Sequence, residues 1–194
     1  MIVSQEQMQK IKEFALRKVS KLDYCHNEDH VLRTVKFVEI LAKKEKADLE
    51  VCKVAAYLHD IGQSVQKKGH EEISADMAGE FLKSLNLPDD FIEKVCEAIR
   101  SHKTKHTRNT LEAKVLYDAD KLQVVGVYAF CRNLAEHLVL EKMSLNEAIK
   151  ITQEQQEDRY KMLETKTARK MIKKPHQFMR KFYKLCDKWD KVKF

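Results

Sequence analysis

The dipeptide His59-Asp60 is the feature of this chain that points most directly to chemistry. It closes an apolar stretch over 51–61 that has the length and composition of a buried helix. One imidazole and one carboxylate from neighbouring residues at a helix end can bind a single metal ion without a flexible loop. Because a chain with 8 histidines can contain such a pair by chance, the dipeptide needs support from other residues. His30 upstream and Asp120 downstream, each on its own predicted helix, provide two further ligands of the same types.

Apolar helix packing is expected to draw these four residues into one interior. His30 lies on an apolar stripe with Thr34 and Val38, where an imidazole must find partners for its ring nitrogens. A buried, unpaired Asp60 would be costly, and Asp120 lies in an equally apolar segment. A divalent cation would satisfy all four residues at once and would activate water at its open positions. Because the set contains no thiolate, it favours manganese, iron, cobalt, nickel or magnesium over a closed structural zinc site.

The elements that must position these residues are predicted to be helices. Only 4 Gly and 2 Pro leave few turn formers for hairpins, and no segment shows the strict alternation of a half-buried strand. Capping signals and apolar spacing predict helices over 4–20, 28–44, 48–60, 70–84, 88–102, 110–140, 144 into the 160s, and from Pro175 onward. The fold class is therefore all-α, with residues 1–194 forming one domain.

The net charge of +7 is concentrated at one end of the chain, because residues 166–194 are rich in Lys and Arg. Four large apolar residues of this segment recur at i, i+4, i+7 and i+11: Phe178, Phe182, Leu185 and Trp189. This spacing predicts a stripe that packs against the core, with a solvated basic face behind it. Docking of the segment on nucleic acid or another polyanion is the weaker alternative.

The 5 cysteines are scattered, odd in number and never spaced as Cys-x-x-Cys. They are predicted to be buried free thiols in a reducing cytoplasm. The first residues do not form a charged-then-apolar signal, and no 18-residue apolar run exists. We therefore expect a cytoplasmic protein without membrane contact.

The order of the four predicted ligands resembles the signature of the HD-domain superfamily of metal-dependent phosphohydrolases. The chain is similar to the small stand-alone members of that superfamily. Three further segments follow one another as in those proteins: 98–102, 111–115 and 118–122. The resemblance is specific over about 24–131. It implies an HD-domain helical bundle with a helical C-terminal extension, on which an N-terminal helix at 4–20 and C-terminal helices over 144–190 pack.

The resemblance also implies roles for individual residues. The metal ligands would be His30, His59, Asp60 and Asp120. In family members with a second metal, the ligands of that metal include histidines that lie in the sequence between the His-Asp pair and the last aspartate. His70 and His102 occupy comparable positions in this chain. Lys121 resembles the basic residue that contacts a substrate phosphate, and Arg100, His102 and His70 are further candidates for that contact. Asp118 is expected to orient a ligand or a lysine rather than to bind metal.

Departures from the family pattern are also visible. Gln63 stands where many relatives have Lys, Gln123 where several have an acid, and Ser101 where several have a His. These changes leave fewer residues to contact a second metal or a phosphate. We therefore expect one metal first, and a site with two metals stays an alternative. Among the other histidines, His106 is expected to be solvated, and His137 and His176 have no identifiable partner.

The function expected from these residues is hydrolysis of a phosphate ester or anhydride, of a nucleotide, by metal-activated water. Lys121 or Arg100 would offset charge on the phosphate, while Asp60, Asp118 or a nearby histidine would handle the proton. One alternative is a non-catalytic module that senses a phosphorylated ligand and uses its metal as a structural clamp. A third is a di-iron oxygenase of the HD type. Substrate identity, metal identity and oligomeric state are left open.

Overall fold

The computed structural model describes residues 2–192. Over this part of the chain the secondary structure consists of helices, without a β-strand, which confirms the all-α class. The α-helices are α1 (Gln5–Val19), α2 (Glu28–Glu45), α3 (Leu49–Leu58), α4 (His70–Ser84), α5 (Asp89–Arg100), α6 (Leu111–Lys121), α7 (Val127–Ala135), α8 (Leu145–Met162) and α9 (Lys166–Asp190). Short 3-10 turns at Ile61–Ser64 and Leu122–Val124 and a π-helical turn at Glu136–Leu140 complete the set.

Side-chain caps fix the predicted helix starts. Ser4 and Gln7 form a reciprocal capping box at α1, and Ser144 and Glu147 form a second one at α8. Asp48 accepts two backbone N–H bonds at the start of α3. These caps satisfy N–H groups that have no partner inside the helix, which explains why the predicted starts agree with the structure.

The chain divides into two compact units, unit 1 over 1–120 and unit 2 over 121–194. In unit 1, the apolar helix α3 packs against α1, α2 and α5, and α4 packs against α5. Seven of the ten residues of α3 are buried, including the whole of its last turn, so the helix ends inside the unit. In unit 2, α8 packs against both α7 and α9. The single domain over 1–194 stays a prediction.

The prediction of one long helix over 110–140 is wrong. The helix ends at Lys121, and after a short turn Val125 is extended and Gly126 adopts a positive φ of 103° that favours glycine. The buried side chain of Gln156 holds this break, because its amide accepts from the N–H of Gly126 (3.0 Å) and donates to its C=O (3.2 Å). Gly126 lies inside the segment predicted as one helix, but it marks the boundary between two helices.

The prediction that Pro175 starts the last helix is also wrong. Helix α9 begins at Lys166, where Thr165 caps it, and continues through Pro175. A proline inside a helix removes one hydrogen bond and costs about 3 kcal/mol. Buried residues on both sides of the proline, Ile172 and Met179 among them, compensate for this loss by packing one face of the whole helix.

The apolar stripe predicted to pack against the core is exposed. The buried residues of α9 are Ala168, Ile172, His176, Met179 and Tyr183. Phe178 and Leu185 are each 55% exposed and Trp189 is 69% exposed, while Phe182 is half-buried. The helix therefore carries two apolar faces, and packing uses the one that contains small and polar residues as well. Spacing alone could not rank the two faces.

Cys25, Cys52 and Cys96 are buried free thiols as predicted, whereas Cys131 is exposed and Cys186 is half-buried. Within residues 2–192, no helix combines the length and apolar character that crossing a membrane requires.

Candidate metal centre

The predicted ligands lie at the ends of different helices of unit 1, and all of them are buried. His30 is in the first turn of α2, the pair His59-Asp60 follows the last turn of α3, and Asp120 lies near the end of α6. His70 is the first residue of α4, and His102 follows the end of α5. Because α3 terminates inside the unit, the two residues that follow it, His59 and Asp60, lie in the interior. Each of α2, α4, α5 and α6 places one further ligand beside them.

A first group of ligand atoms surrounds one oxygen of Asp60. Asp60 Oδ2 lies 3.4 Å from His30 Nε2 and 3.4 Å from His59 Nε2, and the two imidazole nitrogens are 3.2 Å apart. Asp120 Oδ1 lies 3.5 Å from His30 Nε2. Two ligand atoms about 2.1 Å from the same ion and at right angles would be about 3 Å apart, so these spacings suit one shared metal.

A second group surrounds the other oxygen of Asp60. Asp60 Oδ1 lies 3.1 Å from His70 Nε2 and 3.7 Å from His102 Nε2. These three buried atoms lack a hydrogen-bond partner among the described residues. Buried polar atoms without partners are rare and call for an explanation such as an ion. Within the trio His30, His59 and Asp60, and within the trio Asp60, His70 and His102, the ligand atoms lie within 4.8 Å of one another.

Backbone hydrogen bonds set the tautomer of three of the histidines. His59, His70 and His102 each place Nδ1 within 2.6–2.8 Å of the carbonyl oxygen three residues earlier in the chain. A carbonyl oxygen only accepts, so Nδ1 carries the proton and donates it, and Nε2 is left with a lone pair. That lone pair is what a metal ion binds, and the bond at Nδ1 fixes the ring orientation.

The ionisation states match this arrangement. Burial lowers the pKa of His102 to about 3 and also lowers the pKa of His30, so both rings are neutral near pH 7. Burial alone would raise the pKa of Asp60, but the surrounding imidazoles, His59 foremost, hold it well below its usual range. Neutral imidazoles around an ionised carboxylate form the donor set that divalent metals take.

A tight contact holds the start of α4 against the turn after Asp60. The Gly62 N–H donates to Ser74 Oγ (2.8 Å), and a Cβ at Gly62 would lie 2.5 Å from the His70 carbonyl oxygen. Only glycine fits this approach. The contact fixes His70 relative to Asp60. The sequence alone does not reveal that a glycine is required at position 62, because the requirement comes from a tertiary contact.

Glu71 anchors the loop that follows His102, and the sequence analysis missed it. Its carboxylate is buried and lies 2.6 Å from Lys105 Nζ and 3.3 Å from His106 Nε2. Burial would raise the pKa of Glu71, but the hydrogen bonds from Lys105 and His106 outweigh it and lower the pKa to about 2. An acid in the first turn of a helix is ordinarily a solvated charge, so no sequence signal distinguishes Glu71.

The remaining predicted site residues have varied surroundings. Arg100 is on the surface, where it forms ion pairs with Glu72 and Asp76 of α4. Asp118 is fully buried in α6, and Lys121, next to Asp120, is 8% exposed. Gln63 and Gln123 are also buried, and Gln63 Nε2 has no hydrogen-bond partner among the described residues. His106 is not simply solvated, because it contacts Glu71.

Comparison with known proteins identifies the family. The model of the HD domain matches residues 27–125, which is about half of the chain and includes every member of both ligand groups. The chain therefore belongs to the HD-domain family. A ribonuclease Y from Cutibacterium acnes is 30% identical over 106 residues, which cover 45% of this chain and 20% of that relative. The chain thus spans about a fifth of the length of the curated relative that it matches.

Solved structures agree with this family. A predicted HD superfamily hydrolase from an uncultured Thermotogales bacterium is 26% identical, with a TM-score of 0.69, over 96% of this chain and 94% of that protein. Bacillus subtilis YpgQ, in a structure with ADP, is 22% identical, with a TM-score of 0.77, over 94% and 97% of the two chains. The His/Asp cluster of this HD-domain chain is compatible with a divalent metal.

Proposed function

We propose that this protein is a metal-dependent phosphohydrolase that cleaves a phosphate ester or anhydride of a nucleotide. The observation that carries the proposal is the pair of buried ligand groups that share Asp60. Membership of the HD-domain family, together with the likeness to a predicted HD superfamily hydrolase, supports hydrolysis as the reaction class. The ADP complex of YpgQ supports a nucleotide as the substrate class.

The residues that would hold a first ion are His30, His59, Asp60 and Asp120. His70 and His102, together with the second oxygen of Asp60, would hold another. When bound, a divalent ion polarises a phosphoryl oxygen and brings the pKa of a water close to neutrality. The unpartnered Nε2 atoms of His70 and His102 favour two ions over the single ion expected from the sequence.

The protein's own contribution is to keep these side chains in one orientation and one protonation state. The backbone carbonyls that accept from His59, His70 and His102 hold the rings without movement of a loop. Burial lowers the pKa of His30 and His102 and keeps both imidazoles neutral, so they enter the site as lone-pair donors rather than as competing cations. The donor set is therefore organised before a substrate arrives.

Two residues near Asp120 in the sequence, Lys121 and Asp118, are proposed to support the hydrolysis. Lys121 would offset the negative charge of the substrate phosphate, as the resemblance implies, and it is largely buried. Asp118 lies two positions before Asp120 on the same helix, and side chains with that spacing point to different sides. We therefore give Asp118 an orienting role and leave the metal to Asp120.

The experiment is a screen of nucleoside mono-, di- and triphosphates, dinucleotides, cyclic nucleotides and short RNA, with manganese, cobalt or nickel added. Release of phosphate, pyrophosphate or nucleoside monophosphate is followed by chromatography. Asp60→Asn keeps the shape of the side chain, and we expect it to lower turnover by about a thousandfold or more. Asp90→Asn, an exposed carboxylate of the same unit, should leave turnover unchanged. Equal turnover of Asp60→Asn and wild type would contradict the proposal.

The alternative of a ligand-sensing module rests on buried Gln63 and Gln123, which stand where relatives carry charged groups. Tight nucleotide binding without product, with every metal tested, would favour that alternative. The oxygenase alternative also uses two metals. Full nucleotide turnover in the absence of dioxygen would exclude it as the basis of the activity.

A further inference from the structure

Packing within unit 2 explains only part of the exposed face of α9, where the half-buried Phe182 ring lies 4.8 Å from the Phe130 ring of α7. The apolar stripe on this face (Phe178, Phe182, Leu185 and Trp189) runs for about 16 Å along the helix axis. Phe178 and Leu185 are each 55% exposed, although a different set of residues anchors the helix. Large apolar side chains in an exposed row often mark an interaction site.

One edge of the stripe is lined by lysines. Lys174, Lys181 and Lys188 recur every seven residues and, at about 100° per residue, lie beside Phe178 and Leu185. All three are exposed, and none of them forms an ion pair with another described residue. By contrast, Arg180 contacts Glu157, and Lys191 contacts Asp187. The lysines beside the stripe are thus available for an outside partner, as are the exposed Lys170, Lys173 and Lys184 farther round α9.

The acids of α9 lie on another side of the helix. Asp187 and Asp190 line a cleft of about 260 Å³ between α8 and α9, and Asp190 accepts a hydrogen bond from Asn146. The stripe and its lysine edge therefore present an apolar band next to positive charge, without an acid between them. If two copies of the chain met through this face, the lysines of one copy would meet the lysines of the other, because the described residues of the face include no acid.

We propose that this face of α9 binds the surface of an anionic lipid bilayer. Helices that lie in a membrane interface combine Trp, Phe and Leu on one side with Lys on the polar side. The stripe would enter the boundary between headgroups and acyl chains, and the lysine edge would contact anionic headgroups. The attachment is peripheral and independent of the proposed hydrolytic activity.

A lipid surface fits the composition better than a nucleic acid. Leu185 gains from entering hydrocarbon but offers a base neither a stacking surface nor a hydrogen bond. The cations at the edge are all lysine, whereas the planar arginines that recognise phosphate bidentately are engaged elsewhere, Arg180 with Glu157 and Arg169 with the Leu163 carbonyl.

The test uses the full chain with vesicles of phosphatidylcholine alone or mixed in equal parts with phosphatidylglycerol. Because Trp189 is the only tryptophan, its emission reports directly on the stripe. We expect a blue shift and co-sedimentation with anionic vesicles, with partitioning about tenfold stronger than on neutral ones and weakened by salt. Equal partitioning on both vesicle types would overturn the proposal.

Two double variants locate the binding face. Phe178→Ser with Leu185→Ser, and Lys181→Glu with Lys188→Glu, should each weaken partitioning by about tenfold or more. The matched control, Lys36→Glu with Lys43→Glu, makes the same charge change at two exposed lysines seven residues apart on α2 and should stay within about threefold of wild type. Circular dichroism checks that each variant is folded. Wild-type partitioning of the stripe variant would overturn the proposal.

Two other partners would give distinct results that also overturn it. If a second copy covers the stripe, light scattering shows a dimer, and the Trp189 emission is already blue-shifted without vesicles. If single-stranded RNA is the partner, RNA binds more tightly than vesicles, and the lysine variant loses RNA binding while Leu185→Ser keeps it.

Discussion

Both units bury histidines, but they partner them differently. In unit 2, His137 Nδ1 contacts Glu141 at 2.7 Å, and His176 stacks on Tyr160 with Nε2 3.1 Å from Glu157. Each of these rings therefore lies beside a different carboxylate, and that of Glu157 also pairs with Arg180. In unit 1, four rings point Nε2 toward the single carboxylate of Asp60. The difference shows that burial of a histidine is not by itself a metal signal, whereas convergence of several rings on one carboxylate is.

The largest expected effect on turnover comes from substituting one buried histidine in each unit. His102→Gln removes a converging ring from unit 1 and should lower turnover by about a hundredfold or more. His137→Gln removes a ring of similar burial from unit 2 and should leave turnover per folded molecule nearly unchanged. Steady-state kinetics of both variants, corrected for the folded fraction, make the comparison. Similar losses in the two variants would break the distinction between the units.

Neighbouring residues of α9 allow a second comparison within unit 2. Met179 is 1% exposed and Phe178 is 55% exposed. Met179→Ala should lower the free energy of unfolding by about 2–4 kcal/mol, because it leaves a cavity in a packed face. Phe178→Ala should cost well under about 1 kcal/mol, as is usual for exposed positions. Urea denaturation measures both. A larger cost for Phe178→Ala would mean that the stripe is a packing face after all.

Two glycines of unit 1 test how tightly the candidate site is held. A Cβ at Gly62 would lie 2.5 Å from the backbone of His70, whereas one at Gly79 would lie 3.5 Å from Cys96 Sγ. Gly62→Ala should therefore destabilise the protein by about 2 kcal/mol, as overpacking does. Gly79→Ala sits in a helix with room for the methyl group and should be neutral or stabilising by up to about 1 kcal/mol. Thermal unfolding of both variants gives the difference, and equal effects would argue against the close contact.

The smallest expected effect concerns Glu71. Its pKa is lowered to about 2 in the folded protein, below the ordinary value of 4.5. Such a group stabilises the fold above pH 4.5, and this stabilisation is lost as the pH falls from there toward 2. Glu71→Gln should thus cost about 1 kcal/mol at pH 7, a modest figure because Lys105 is solvated. The difference between wild type and variant should shrink at pH 3. Urea denaturation at both pH values measures it, and a constant difference would contradict the assignment.

The sequence predicted the helices of unit 1 closely, because caps and apolar spacing are local signals. It also predicted the burial of His30, His59, Asp60 and Asp120, because an apolar helix carries its polar neighbours inward. The grouping of His70 with His102 around Asp60 could not be predicted from spacing. It depends on how α4 and α5 pack, including the contact between Gly62 and Ser74.

The predictions for unit 2 were less accurate for related physical reasons. Gly126 lies inside the helix predicted over 110–140, and the side chain of Gln156, distant in sequence, explains the break. Pro175 was read as a helix start, although packing on both sides of it carries α9 through. The choice between the two apolar faces of α9 depends on which one α8 contacts, and that information is not local.

Binding of manganese to the purified, metal-free chain tests the central claim most directly. Electron paramagnetic resonance of the free ion gives the number of ions bound, for wild type and for Asp60→Asn, with circular dichroism to confirm folding. The shared carboxylate of Asp60 predicts two ions per chain in wild type and loss of both in the variant. No bound manganese in wild type, or equal binding by the variant, would contradict the account.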